Sequence, residues 1–163
     1  MTEQKIKLLV VDDEIRFLET LSRRLELRDF DVTPVSDGLK AIELAGKREF
    51  DLALVDLKMP GMTGEEVLRV LKEQSPFIEV VILTGHGSVD SAVECLKAGS
   101  YSYLQKPCET RELMDVLKEA YQKRVQRKLD VNRERLEELM GLAMGESPLA
   151  ILRRLREIER RGN

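Results

Sequence analysis

The sequence predicts an α/β fold: five short strands in one parallel sheet, with helices on both faces. Two observations carry this. Near-continuous apolar runs such as Ile6–Val11 recur along the chain, as expected of strands buried on both faces. Between them lie segments with apolar residues at helical spacing. Such alternation calls for right-handed crossovers and for helices above and below the sheet.

Each element follows from its residues. Ile6–Val11 is the first strand and stops at Asp12-Asp13-Glu14. Phe17, Leu18, Leu21 and Leu25 then mark a helix that runs to Arg28. Asp31–Val35 is the second strand, and Asp37-Gly38 opens a helix carrying Ala41, Ile42 and Ala45. Asp51–Asp56 is the third strand and ends in an acid; the Pro and Gly content of Lys58–Gly64 makes it a loop. Glu65–Glu73 is a helix with Val67, Leu68 and Leu71 inward. Val80–Leu83 is the fourth strand, ending in Thr84-Gly85. Ser88–Ala98 is a helix stopped by Gly99. Tyr101–Leu104 is the fifth strand and leads into Gln105-Lys106-Pro107. A last helix begins near Thr110, expected as its N-cap.

The chain has 163 residues with 27 Lys+Arg and 30 Asp+Glu, which fits one domain and an appendage. No apolar run approaches the roughly 18–20 residues needed to cross a bilayer. Met1–Leu9 carries two lysines with no long apolar stretch behind them, so no secretory leader is expected. Cys95 and Cys108 make no disulfide framework, and with a single histidine they cannot assemble a zinc site. A reducing, cytoplasmic setting is the simplest expectation. Charge is uneven. Residues 1–122 hold 16 Lys/Arg against 23 Asp/Glu, and residues 123–163 hold 11 against 7. An acidic body with a basic tail implies two regions with different roles, unless the tail is only a solvated, Arg-rich helix face.

Ligands of open parallel sheets sit at the carboxyl ends of the strands. Here those ends carry Asp12-Asp13, Asp56, Thr84 and Lys106. Taken singly, each has a structural reading: helix N-cap, turn or strand end. Taken together, the carboxylates repel one another and call for a cation. Oxygen ligands with room for water favour Mg²⁺. A divalent ion, a lysine and a hydroxyl make a host for a phosphoryl group, with Asp56 as acceptor.

At this point the sequence resembles a response-regulator receiver domain of bacterial two-component signalling, over roughly residues 5–121. The resemblance rests on Val10-Val11-Asp12-Asp13-Glu14, Leu54–Gly64, Leu83-Thr84-Gly85-His86 and Tyr103-Leu104-Gln105-Lys106-Pro107. It implies a flavodoxin-like, doubly wound (βα)5 sheet of order 2-1-3-4-5, with a receiver over 5–122 and a helical tail over 123–163. It further implies that Asp56 is phosphorylated by a sensor histidine kinase or phosphotransfer protein. Asp13, Asp56 and the Lys58 backbone carbonyl would hold Mg²⁺, with Asp12 acting through the ion's waters. Thr84 and Lys106 would contact the phosphoryl oxygens, and Tyr103 would be the aromatic switch. The Lys106–Pro107 bond is expected to be cis. The resemblance also implies that Lys58 and His86 would hold the positions that tune phosphoryl lifetime, although His86 also reads as a plain exposed loop residue. Gly85 departs from the more usual Ala or Ser. On this reading the protein is a signalling switch rather than an enzyme.

Two other classes share parts of the pattern. An aspartyl phosphatase would want a second acid two residues after its nucleophile, where Lys58 stands. A flavin carrier would want a phosphate loop after the first strand, where Asp12-Asp13-Glu14 stands. In the tail, Val125, Leu129, Asn132, Leu136, Leu139 and Ala143 make a short heptad seam. It implies a homodimer through the tail or the receiver face, a helix folded back on its own receiver, or partial disorder. Gly141 and Gly145 weaken that helix end. Ser147-Pro148 starts another helix, with Ile151, Leu155 and Ile158 apolar and Arg153, Arg154, Arg156, Arg160 and Arg161 basic. Without aromatic residues or a reading motif, nucleic-acid binding by this face is not expected. The alternative identity is the receiver fragment of a larger DNA-binding transcription regulator.

Overall fold

The computed structural model describes residues 4–145 and 147–162. Its elements are β1 (Ile6–Val11), α1 (Ile15–Glu26), β2 (Phe30–Val35), α2 (Gly38–Lys47), β3 (Leu52–Val55), α3 (Gly64–Gln74), β4 (Glu79–Thr84), α4 (Val89–Lys97), β5 (Ser102–Gln105), α5 (Thr110–Ala143) and α6 (Pro148–Arg161). The five strands form one parallel sheet of order β2-β1-β3-β4-β5.

The two faces of the sheet explain why its strands are apolar at nearly every position. Leu9, Val11, Ala53, Val55, Val80 and Ile82 point to one side and pack with residues of α2, α3 and α4. Leu8, Val10, Leu52, Leu54, Val81 and Leu83 point to the other and pack with α1 and α5. Alternate residues of β1, β3 and β4 are therefore buried in opposite directions, and the pleat of each strand divides the core in two.

Local chemistry sets the helix starts. Asp37 caps α2 by accepting from the amides of Leu39 and Lys40. Thr63 and Glu66 form a reciprocal capping box on α3. Ser88 and Ser91 do the same on α4. Each such cap contributes about 1 kcal/mol. The N-cap expected at Thr110 is displaced by one residue: Thr110 is the first helical residue of α5, and the Glu109 carbonyl already accepts from Leu113. Lys106–Pro107 is cis.

The chain divides into two compact units, residues 1–124 and 125–163. The first ends on Arg124, whose side chain is buried and reaches across to the segment before β3. Its guanidinium donates to Asp51 (Nε to Oδ1, 3.0 Å) and to Glu49 (Nη2 to Oε1, 2.9 Å). The second unit holds the remainder of α5 and α6. Ser147 caps α6 by accepting from the Ala150 amide, with Pro148 in the first turn. Ile151, Leu155 and Ile158 are half-buried, while Val125, Leu129, Leu136 and Met140 lie exposed on α5. Of the heptad seam, Asn132 is also exposed, Leu139 is half-buried, and the Ala143 side chain lies outside the described residues. Gly141 sits inside α5 and Gly145 follows its end. No helix among the described residues is long and apolar enough to cross a membrane.

Candidate functional site

The carboxyl ends of β1, β3, β4 and β5 meet at one edge of the sheet. β1 and β3 are hydrogen-bonded neighbours, so the residues that follow them are brought side by side. Asp12 donates its amide to the Val35 carbonyl, and Asp56 donates its amide to Val11. Both continue the ladder for one more step, and both side chains are buried, each residue 3% exposed. Asp13 stands further out towards solvent. One carboxylate oxygen from each of Asp12, Asp13 and Asp56 lies within 4.8 Å of the others.

Neighbouring groups fix the direction of each carboxylate. The Asp12 Oδ1 accepts from the Glu14 amide at 2.9 Å, and the Asp56 Oδ1 accepts from the Leu57 amide at 2.8 Å. Lys106, just after β5, points its ammonium inward. It lies 2.7 Å from Asp12 Oδ2 and 3.8 Å from Asp56 Oδ2. Burial pushes the Asp56 carboxyl above the usual carboxylate range, and the Asp12 charge adds to the rise. The Thr84 hydroxyl, the Lys106 ammonium and the Leu57 amide oppose it. One ammonium beside three carboxylates leaves negative charge uncompensated. A hard cation with oxygen ligands fits that donor set.

Two loops frame this cluster. After β3 the chain turns tightly, and the Gly64 amide donates to the Leu57 carbonyl at 2.8 Å. A side chain at Gly64 would strike the backbone of Asp56 itself, so glycine is required for that approach. After β4, Thr84 Oγ1 accepts from the His86 amide at 3.1 Å. His86 and Lys58 are exposed, and the structure gives neither a contact with the carboxylates. Tyr103 is half-buried. Its ring lies against Gly87, where a Cβ would clash with the hydroxyl, and that hydroxyl is 2.9 Å from Ser91 Oγ on α4.

The structure thus brings Asp12, Asp13, Asp56, Thr84 and Lys106 to one point and leaves Tyr103, Lys58 and His86 around it. It also adds a residue that the sequence reading placed only in the core. Phe17 of α1 lies under Lys106, with the ammonium 3.9 Å from the ring centroid. Phe17, Lys106 and Cys108 line a cavity of about 330 Å³ together with Leu21, Leu83 and Leu113.

Comparison with known proteins agrees with this geometry. Residues 8–118 match the response regulator receiver domain. The regulatory protein LuxO of Vibrio cholerae serotype O1 is 44% identical over 104 residues, 64% of this chain and 23% of LuxO. The crystal structure of a CheY-like response regulator receiver domain protein from Methanospirillum hungatei superposes with a TM-score of 0.73 at 28% identity. It covers 76% of this chain and 98% of that one. The solution structure of the beryllofluoride-activated NtrC4 receiver domain dimer gives 0.69 at 32% identity, over 72% and 98%. The parallel sheet and the acids at its edge define a CheY-like receiver fold, the signalling switch of two-component systems. The chain belongs to the response regulator receiver domain family. The matched segment spans about a quarter of the length of those curated relatives.

Proposed function

We propose that Asp56 is the phosphoryl acceptor of a response regulator. A sensor histidine kinase or phosphotransfer protein is the donor, acting in the cytoplasm. The reading is carried by one observation: three carboxylates within 4.8 Å of one another, with Lys106 bridging two of them.

Asp56 is the acceptor because it ends the strand between β1 and β4, with Lys106 and Thr84 on hand. An Asp56 carboxylate oxygen bonds to phosphorus while the donor's P–N bond breaks, and the released imidazole nitrogen takes up a proton. Lys106 is close enough to follow the charge that builds on the phosphoryl oxygens. Thr84 turns its hydroxyl from the carboxylate to the phosphoryl group, and the loop to His86 follows. Asp13, Asp56 and the Lys58 carbonyl would hold Mg²⁺, with Asp12 reaching it through water. When bound, the ion neutralises charge and orients the phosphoryl oxygens. Lys58 and His86, exposed beside the site, would govern access of water and hence phosphoryl lifetime. The loop movement frees Tyr103 from Ser91 and shifts the surface made by α4, β5 and α5 between two states.

Acetyl phosphate with Mg²⁺ tests the acceptor. We expect one phosphoryl group per chain by intact mass, abolished in Asp56→Ala. Labelling that persists in Asp56→Ala overturns the assignment. Asp13→Ala should weaken Mg²⁺ binding at least tenfold, an estimate for losing one charged ligand; an unchanged titration removes Asp13 from the ion.

A second reading concerns output. Relatives named as transcriptional regulatory proteins are much longer, the matched stretch being 27% of one and 25% of another, which favours this chain as the receiver part of such a regulator. Its exposed Val125, Leu129, Leu136 and Met140 also favour self-association. Sedimentation of the full chain and of residues 1–124, each with and without beryllofluoride, tests that part. Identical monomer profiles in all four samples refute it.

A further inference from the structure

We infer that Phe17 is a positioning residue for phosphoryl transfer: its ring face holds the Lys106 ammonium in place beside Asp12 and Asp56. The inference rests on Asp56 as acceptor and adds a residue on α1 to that reaction.

Lysine is a compact charge on a flexible four-carbon stem, so its position must be imposed from outside. Lys106 has two carboxylate contacts, and they are unequal: 2.7 Å to Asp12 and 3.8 Å to Asp56. Left to those two alone, the ammonium is drawn towards Asp12 and away from the acceptor. The Phe17 ring supplies a third contact, with the charge 3.9 Å from its centroid. A cation over an aromatic face is attracted by the ring quadrupole, and more strongly where water is excluded. The Lys106 side chain is only 13% exposed, so the contact is largely desolvated. Phe17 is itself wedged against the core cluster of α1 and α5, which makes the ring a fixed platform.

The remaining surroundings leave that role to the ring. The cavity on this side is lined by Arg16, Thr20 and Arg24 besides its apolar wall, with no carboxylate among its lining residues. A water entering from it would solvate the ammonium without orienting it. An aliphatic residue at position 17 would fill space but attract no charge.

Three versions of position 17 test this in the full chain: Phe17→Leu, Phe17→Tyr, and site-specific 3,4,5-trifluorophenylalanine. Fluorination keeps the shape and removes most of the quadrupole. The first readout is the rate of phosphorylation by acetyl phosphate at saturating Mg²⁺. Phe17→Leu and the trifluoro variant should be slower by roughly 2- to 10-fold, the range of a partly buried cation–π contact, and Phe17→Tyr should stay near the parent. The second readout needs no phosphorylation. Lys106 methylene protons over the ring should be shifted upfield in the parent and in Phe17→Tyr, and return towards ordinary values in Phe17→Leu. A trifluoro variant that folds normally and reacts at the parent rate overturns the inference. Ordinary Lys106 shifts in the parent do so as well. If the parent shows the upfield shift but takes no label on Asp56, the acceptor assignment has failed and the role of Phe17 in transfer falls with it.

Discussion

Arg124 is the residue whose removal the structure prices most directly. Its side chain is 5% exposed and makes two charge-assisted hydrogen bonds, to Asp51 and Glu49. We consider Arg124→Met, which keeps the apolar stem and removes the guanidinium. A hydrogen bond to a charged group is worth about 1.5–3 kcal/mol net. The Glu49 side chain is 68% exposed, and that pair counts for at most about 1 kcal/mol. The Asp51 side chain is 22% exposed and its second oxygen keeps the Lys7 amide at 2.8 Å. Water can therefore reach what Arg124 leaves behind, which favours the low end. The expected loss is about 2 kcal/mol, or about 8 °C in melting temperature for a unit of this size.

Urea unfolding followed by tyrosine fluorescence measures it, because all three tyrosines, Tyr101, Tyr103 and Tyr121, lie in residues 1–124. In an Asp51→Asn background the same substitution should cost under about 1 kcal/mol, since neighbouring partners are not additive. Phosphorylation by acetyl phosphate should be unaffected. Asp51 precedes β3 and Asp56 follows it, a separation of about 15 Å at strand rise. A loss below about 0.5 kcal/mol, or an equal loss in both backgrounds, refutes the reasoning.

Two further expectations follow from the site. Gly87→Ala places a methyl group against the Tyr103 ring and hydroxyl. It should cost about 1–2 kcal/mol by overpacking, and little in a Tyr103→Ala background; equal costs by urea unfolding would show that the ring is not what the methyl meets. Asp56 has its carboxyl raised in the folded protein by burial first and by Asp12 second. The folded state therefore holds its proton more tightly than the unfolded state. Without Mg²⁺, this group's contribution is intact below the ordinary carboxylate range and is lost as pH rises through its raised folded value. Asp56→Asn should remove that loss, so its stability advantage over the parent should grow with pH across the window. An advantage that shrinks with rising pH contradicts the sign.

The residues legible in the sequence are those tied to strands. β1, β3 and β4 are buried on both faces, so they stand out as apolar runs, and whatever follows them marks the edge of the sheet. That is how Asp12, Asp13, Asp56 and Thr84 could be placed without coordinates. Thr110 lies one residue inside the helix rather than at its cap, because a hydroxyl near a helix start reads as a cap whether or not the preceding carbonyl has already entered the helix. Phe17 and Arg124 were not legible as partners. Phe17 fits the apolar stripe of α1, which hides its second contact with a lysine on the far side of the sequence. Arg124 sits in an Arg-rich stretch, and its partner Asp51 is 73 residues away. The contact between Tyr103 and Ser91 is not legible either, because nothing in the sequence pairs a residue of the fifth strand with one in the first turn of the helix before it.

The two cysteines turn the molecule into its own chemical reporter. Cys95 is wholly buried on the inner face of α4, whereas Cys108 is half-buried on the cavity wall with Phe17 and Lys106. Burial first, then Glu112, raises the Cys108 thiol above its usual range, which slows its alkylation. In the folded protein a thiol reagent should count one group, Cys108, two residues beyond Lys106 on the same loop. When the fold opens, the count rises to two. One titration therefore separates a change beside the acceptor from a loss of the whole domain, with no cysteine introduced.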